Sequence, residues 1–343
     1  MEWVTLRKEK KESEIRKLYI EPTSRCNLSC KMCFRHKWID ESLGDMSEET
    51  FSEVMKYLRE HRSETVFFGG MGEPLIHKNL TEMIKAVSEY SDKTEVLTNC
   101  TLLSEEMAKE LIECGLTRLW VSMDGFSKDE YEKIRLGGRF DLICGNLKRF
   151  NELRKGTAVK LGITFVVMED NLNQLEYINS FADEFGVDLM NISHAIPMDE
   201  DASAREFFDA DVAVGKMERY TGEKPDKPFD YCPFVEEKMC FVKWNGDVVP
   251  CMQLLHSSET YMFDIKRNVY AHSFGNVGET PLFDIYNNEE YRAFRERVMN
   301  FEFPSCIMCE GCELREDNKE DCMFNGTPTC GACLWSTGKV FCP

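Results

Sequence analysis

Cys26-Asn27-Leu28-Ser29-Cys30-Lys31-Met32-Cys33 places three thiols, spaced x3 and x2, directly after Leu18–Glu21, a short run with strand character. Three thiols on a loop at a strand's C-terminal end can converge on one metal centre. A closed zinc site takes four ligands, so these are one short unless His36 completes a zinc knuckle. A [4Fe–4S] cube held by three Cys instead leaves one iron open to a ligand from outside the protein.

Outward from this loop, strand and helix signals alternate. Strand-like runs are Leu18–Glu21, Thr65–Phe68, Thr94–Thr98, Arg118–Met123, Lys160–Val167 and Asp188–Ser193. Ser47 caps a predicted helix with Phe51, Val54, Met55 and Leu58 on one face. Asn79 opens a second, with Leu80, Met83, Ile84 and Val87, and Ser104 opens a third that ends at Gly115. Residues 140–155 carry Ile143, Leu147 and Phe150; residues 173–185 carry Leu175, Ile178 and Phe185 before Gly186. This alternation predicts parallel strands joined by right-handed crossovers. Six βα units, less the last helix, are too few for a closed eight-stranded barrel. The expected fold is α/β, a partial (βα)6 barrel over residues 16–197, with its site at the C-terminal ends of the strands. An N-terminal arm (1–15) precedes it. An acidic linker with one helix (198–230) and a short, Cys-rich domain (231–343) follow.

The 343 residues carry a net charge of −19, with 43% hydrophobic and 30% charged residues. This describes a globular protein whose main task is not gripping nucleic acid or an anionic membrane. The basic run Arg7–Lys17 is broken by Glu9, Glu12 and Glu14 and reads as a solvated arm. No apolar stretch approaches the roughly 18 residues of a membrane span, and no signal-peptide core opens the chain. The expected location is the reducing cytoplasm, where sixteen Cys call for metal rather than disulfides. Cys100, Cys114 and Cys144 lie between the two Cys-rich regions and read as packing residues.

Cys-x3-Cys-x2-Cys after the first strand of such an array resembles the radical S-adenosylmethionine (SAM) superfamily. The resemblance implies that Cys26, Cys30 and Cys33 hold a [4Fe–4S] cluster whose open iron takes SAM. Gly69-Gly70-Met71-Gly72-Glu73-Pro74 resembles the family's glycine-rich segment, which holds the SAM ammonium; Gly69, Gly70, Gly72 and Glu73 are the implied contacts. Gly lets the backbone come close, and an acid complements a cation. By itself the segment is a tight turn. Asn99, after Thr98, and Ser122 and Asp124, at the next strand end, stand where the family meets polar groups of SAM; as lone residues each is a cap or turn residue. His194-Ala195-Ile196-Pro197 would flank the adenine. Met32 departs from the family, which often has an aromatic before the third Cys; here Phe34 follows it.

Cys232-x13-Gly246-x4-Cys251 resembles the opening of the SPASM extension, with Lys243–Val248 as its β-hairpin and Asn245-Gly246 as the turn. Cys306, Cys309, Cys312, Cys322, Cys330, Cys333 and Cys342 follow at spacings that depart from the usual SPASM pattern. Ten Cys from Cys232 onward suffice for two four-ligand clusters with two left over, Cys240 being a spare or an alternative ligand. Three [4Fe–4S] clusters are therefore implied in all, one for SAM and two auxiliary; zinc ribbons would fit the C-terminal spacing alone. Pro328–Pro343 resembles maturases of tungsten-cofactor oxidoreductases.

The implied function is reductive cleavage of SAM to a 5′-deoxyadenosyl radical that modifies a protein, peptide or cofactor precursor, in maturation of a tungsten-dependent oxidoreductase. A ferredoxin or flavodoxin would donate the electron. No general base is assignable; Asp247 and His256 are more often structural. A maturase forming thioether or carbon–carbon crosslinks in a ribosomal peptide is the competing enzyme. No peptide-recognition domain is read before Leu18, which weighs against it. A non-catalytic iron–sulfur carrier or scaffold is the reading from another class. It would need the Cys but not Gly69–Glu73.

Overall fold

The computed structural model describes residues 14–199, 215–218, 231–262, 265–306, 309, 311–336, 340 and 342. Six strands pair in parallel, each with the next: β1 (Lys17–Ile20), β2 (Ser63–Phe68), β3 (Ser91–Thr98), β4 (Arg118–Ser122), β5 (Lys160–Val167) and β6 (Leu189–His194). β7 (Gly215–Glu218) runs antiparallel to β6. β8 (Met239–Val242) lies parallel to β1 on its free side, and β9 (Val248–Val249) turns back against β8. The nine-stranded sheet is thus ordered β7-β6-β5-β4-β3-β2-β1-β8-β9. The Cys-rich region joins the sheet through β8 instead of standing apart from it.

The predicted helices form: α1 (Glu48–His61), α2 (Leu80–Ser88) and α3 (Glu105–Glu113), then α5 (Phe140–Leu153) and α6 (Ile178–Phe185). Ser47 and Ser104 cap α1 and α3, accepting from the N–H groups of Thr50 and Met107. Asn79 makes no cap bond; its amide donates to Glu48. Glu169–Tyr177 is 3-10 helix, so Leu175 falls outside α6. Within the barrel one further helix forms that the periodicity does not predict, α4 (Lys128–Ile134). It is seven residues long, too short to show periodicity, and buries Tyr131 and Ile134. The helix expected within 198–230 lies outside the described residues, and Gly215–Glu218 in that stretch is strand.

Alternation along each strand sorts the core into two layers. Leu18 and Ile20, Val66 and Phe68, Leu119 and Val121, and Cys240 and Val242 face the helices. Tyr19, Phe67, Trp120 and Phe241 face inward, where Tyr19 stacks on Phe241 with ring centroids 4.1 Å apart. Strands that share one inner cluster form a curled sheet, the partial barrel that the alternation predicted. Trp120 pairs with Gly162 across β4 and β5, and a Cβ there would lie 2.4 Å from its ring. Trp335 and Val340 fill the inner layer from the C-terminal side.

That region also holds β10 (Ser258–Met262) paired with β11 (Ile265–Val269), then α7 (Leu282–Tyr286) and α8 (Glu289–Met299). The predicted Asn-Gly turn joins β8 to β9, with Gly246 at φ +93°. Among the described residues, no helix is long and apolar enough to cross a membrane.

Candidate active site

β1 is flanked by β2 on one side and β8 on the other, so its C-terminal loop opens between the glycine-rich loop and the C-terminal region. A cavity of about 270 Å³ lies there. Cys26, Cys30 and Cys33 line it, with Gly70, Gly72 and Glu73 after β2, Asn99 after β3, Ser122 on β4, and Asn191 and His194 on β6. Thr164, Phe165 and Val166 of β5 also line the cavity, so β2 to β6 all meet the thiol loop of β1. Met252, Trp335, Val340 and Cys342 add a wall from the C-terminal region. Gly69 stays outside the lining, its N–H bonded to Ile20 O at 3.0 Å. Gly72 must be Gly: a Cβ would stand 2.1 Å from the carbonyl oxygen of Thr23, so the two loops touch through backbone.

Polar contacts decide what each predicted residue does. Glu73 is 2% exposed; Thr98 Oγ1 (2.7 Å) and the N–H groups of Leu75 (3.1 Å) and Asn99 (2.6 Å) donate to it. Burial pushes its carboxyl up, and these bonds oppose that. Asn99 spends its amide on Asn27 Oδ1 (2.9 Å) and faces Cys26 Sγ (3.8 Å). Asp124 does not reach the cavity: it is fully buried, accepts from Val166 N at 2.8 Å and pairs with Arg135 at 2.6 Å. Arg135, at the end of α4, is a lining residue that sequence reading does not name, and Asn191 is another. The Arg135 guanidinium stands 3.8 Å from Cys30 Sγ. A lone Arg after an unread helix carries no signal in the sequence. His36 Nε2 lies 3.1 Å from the Cys30 carbonyl oxygen, so it points at backbone rather than at the thiols.

These surroundings fit an iron–sulfur cluster. Burial pushes the Cys30 thiol up to about 11, opposed by Arg135, and a bound metal deprotonates such a thiol. Arg135, 7% exposed and paired with Asp124, has no hydrogen-bond partner at Nε and holds its guanidinium beside Cys30. Among the described residues, no three His, Cys, Asp or Glu side chains stand close enough to hold a single metal ion. Ligands to the separate irons of a cube need not stand as close as ligands around one ion.

Several C-terminal thiols have other Cys among the ionisable groups that act on them. Burial pushes the Cys330 thiol up, and the charges of Cys333, Cys232 and Cys251 push it further. Cys251 likewise has Cys333 and Cys232 as neighbours. Cys306 is pushed up to about 11 by burial, with Arg267 opposing and Cys309 and Cys322 adding. Arg315 ties Cys312 to Cys309: its side chain donates to the Cys309 carbonyl and its N–H to the Cys312 carbonyl. Two Cys stand apart. Cys240 is on the helix-facing side of β8, beside Tyr291. Cys342 lies in the cavity wall, where Trp335 and Lys17 are its polar neighbours.

The family model for the radical SAM superfamily matches residues 20–180, and that for an iron–sulfur cluster-binding domain, SPASM, matches residues 232–313. Over 95% of its length, the chain is 32% identical to 96% of a protein of Pyrococcus furiosus described as a tungsten-containing aldehyde ferredoxin oxidoreductase cofactor-modifying protein. The chain belongs to the radical SAM superfamily. Two solved structures share the fold. Streptococcus suis SuiB bound to S-adenosylmethionine aligns with TM-score 0.60 and 18% identity over 89% of this chain and 73% of that one. Native anSMEcpe with bound AdoMet and Cp18Cys peptide aligns with TM-score 0.60 and 19% identity over 94% and 95%. The chain is thus a radical SAM enzyme with a C-terminal SPASM region.

In this radical SAM enzyme the two parts are joined by a buried charged chain. Glu21, just past β1, accepts from the N–H of Met71 (3.0 Å) in the glycine-rich loop and bonds His256 Nε2 (2.9 Å). His256 Nδ1 bonds Glu41 (2.9 Å), which also accepts from Lys243 (2.8 Å). Trp38 stacks on the imidazole, centroids 4.3 Å apart. Burial works against the charge of His256, yet Glu21 and Glu41 outweigh it and raise its pKa. Burial also opposes ionisation of Glu41, but bonds from His256, Lys243 and Ser257 bring it down to about 2. A His with a raised folded pKa contributes stability below its unfolded value of about 6.5 and loses it as pH climbs through the folded value. The advantage of wild type over His256→Asn in urea unfolding is therefore expected to be larger at pH 6 than at pH 9. A larger advantage at pH 9 would mean that His256 is neutral in the folded protein.

Proposed function

We propose that this enzyme cleaves SAM reductively and uses the radical to modify the cofactor of a tungsten-dependent oxidoreductase or a precursor of it. The observation that carries the reading is the single cavity in which three loop thiols, the glycine-rich loop and a wall from the C-terminal region meet. The similarity to the Pyrococcus cofactor-modifying protein, over nearly the whole of both chains, supports the choice of substrate.

In this reading Cys26, Cys30 and Cys33 hold a [4Fe–4S] cluster with SAM on its open iron. Once reduced, that cluster would supply the one electron that the sulfonium of SAM takes up as it cleaves to methionine and a 5′-deoxyadenosyl radical. Gly70, Gly72 and Glu73 shape the ammonium side of the SAM site. Asn99, Ser122 and Asn191 offer polar atoms to the rest of it. Asp124 acts through Arg135, which steadies the Cys30 side of the loop. Residues 231–343 form an auxiliary-cluster domain in which Cys232, Cys251, Cys330 and Cys333 hold one cluster. Cys306, Cys309, Cys312 and Cys322 hold the other, leaving Cys240 and Cys342 as the two spare thiols. A ferredoxin or flavodoxin reaches the SAM cluster from outside, where Cys33 also borders a hollow of about 460 Å³ with Arg35 and His36.

The test is anaerobic reconstitution with iron and sulfide, reduction, and measurement of 5′-deoxyadenosine. Mass spectrometry of the cofactor of a candidate tungsten enzyme, produced with and without this protein, then identifies the product. Cys251→Ala is expected to keep SAM cleavage near the wild-type rate and to lose the cofactor product. Full product yield from that variant would remove the auxiliary cluster from the reaction. Peptide crosslinking is the second reading, favoured by the shared fold with a structure that holds a peptide. A modified Cys-containing peptide, with the tungsten cofactor unchanged, would decide for it.

A further inference from the structure

Arg267 sits at the middle of β11, 5% exposed. One of its amino groups donates to Ala332 O (3.1 Å), in the turn between Cys330 and Cys333. The other donates to Asp317 O (3.0 Å), and Nε has no partner. Cys306 is drawn to the same turn: its N–H donates to Gly331 O at 2.9 Å, and a Cβ on Gly331 would stand 3.0 Å from its Sγ. Asp317 gives Arg267 only its carbonyl and turns its carboxylate to Lys319. Among the described residues no carboxylate pairs with Arg267. The groups that would offset its burial when ionised are the thiols of Cys333, Cys306 and Cys330, with the Asp317 carboxylate last.

A guanidinium removed from water is costly unless an anion answers it. Two backbone carbonyls are a poor answer, and the strand would be served as well by an apolar residue. A [4Fe–4S] cluster on four thiolates is a net anion and becomes more negative on reduction. A fixed buried cation beside it therefore favours the reduced form.

We propose that Arg267 is the built-in counter-charge of both auxiliary clusters, seated in the seam between the Cys330–Cys333 turn and Cys306 and raising the reduction potential of each. It is a positioning residue that touches neither SAM nor substrate. The inference rests on the cluster assignment proposed above.

The experiment uses full-length protein, reconstituted anaerobically, with Arg267→Met and Arg267→Lys beside wild type. Redox titration followed by electron paramagnetic resonance reads all clusters, and added SAM perturbs only the signal of the open-iron cluster. Arg267→Met is expected to lower the reduced-to-oxidised ratio of the auxiliary clusters about tenfold at fixed potential, a shift of about 59 mV to the negative for one electron. Arg267→Lys, which keeps the charge, is expected to restore most of it, and the SAM cluster is expected not to move. Metal-free Arg267→Met is expected to melt at or above metal-free wild type, and below wild type once both are loaded. Unmoved auxiliary potentials in loaded protein would overturn the role of Arg267. So would equal shifts in both variants, which would trace the effect to packing instead of charge. If Arg267→Met does not fold, a tenfold change in Arg267→Lys overturns the proposal and a near-wild-type ratio supports it. Wild type that takes up iron only at Cys26–Cys33 would overturn the auxiliary-cluster assignment itself.

Discussion

Cys30→Ala is expected to form no detectable 5′-deoxyadenosine under conditions in which Cys144→Ala turns over like wild type. Both variants lose one thiol, but in different surroundings. Cys144 lies on α5, packed against the helix-side core. Cys30 is in the cavity, between Cys26 and Cys33 and 3.8 Å from the Arg135 guanidinium. The loop has no fourth ligand in reserve, because His36 is turned to the Cys30 carbonyl and away from the thiols. Two thiolates leave two irons of a cube without protein ligands, and the cluster is not retained. The loss should appear in iron content, in absorbance and in product alike. Wild-type turnover by Cys30→Ala would move the SAM cluster off this loop.

Asp124→Asn is expected to lower the free energy of unfolding by about 3–5 kcal/mol, the range for breaking one partner of a buried pair. Asp124 is fully buried and Arg135 is 7% exposed, with 2.6 Å between their charged atoms. Removing the carboxylate leaves the guanidinium unanswered except by Cys30. The double variant Asp124→Asn/Arg135→Met should recover much of the loss, since it removes both charges. Urea unfolding at neutral pH measures all three proteins. A single-variant cost under about 1 kcal/mol, the range of an exposed pair, would show that water reaches the site.

Much of the barrel was legible because its signals are local. Ser47 and Ser104 announce their helices through bonds to N–H groups three residues on. β5 reads as a near-continuous apolar run because both of its faces are covered. Gly246 marks its turn because the turn needs a positive φ. The three loop thiols and the glycine-rich segment were legible for the same reason: each is a short stretch at one strand end. The roles of Asp124 and Arg135 were not. Ten residues, seven of them a short helix, stand between them, and only folding buries the two together.

The sequence by itself determined the alternation of strands and helices, the strand ends that bear polar and thiol groups, and the number of thiols. Only the tertiary structure decided how the C-terminal region meets the site. β8 pairs with β1, and His256 reaches Glu21 across 235 residues of chain. It also set Cys240 on a different side of the sheet from the inner layer. Alternation along β8 turns Cys240 to the helices, and the Cys330–Cys333 turn folds onto Cys306 and Arg267. Periodicity and spacing report a residue's neighbours along the chain. Which thiols share a charge environment depends on contacts between distant segments, and those exist only once the sheet has closed around β1.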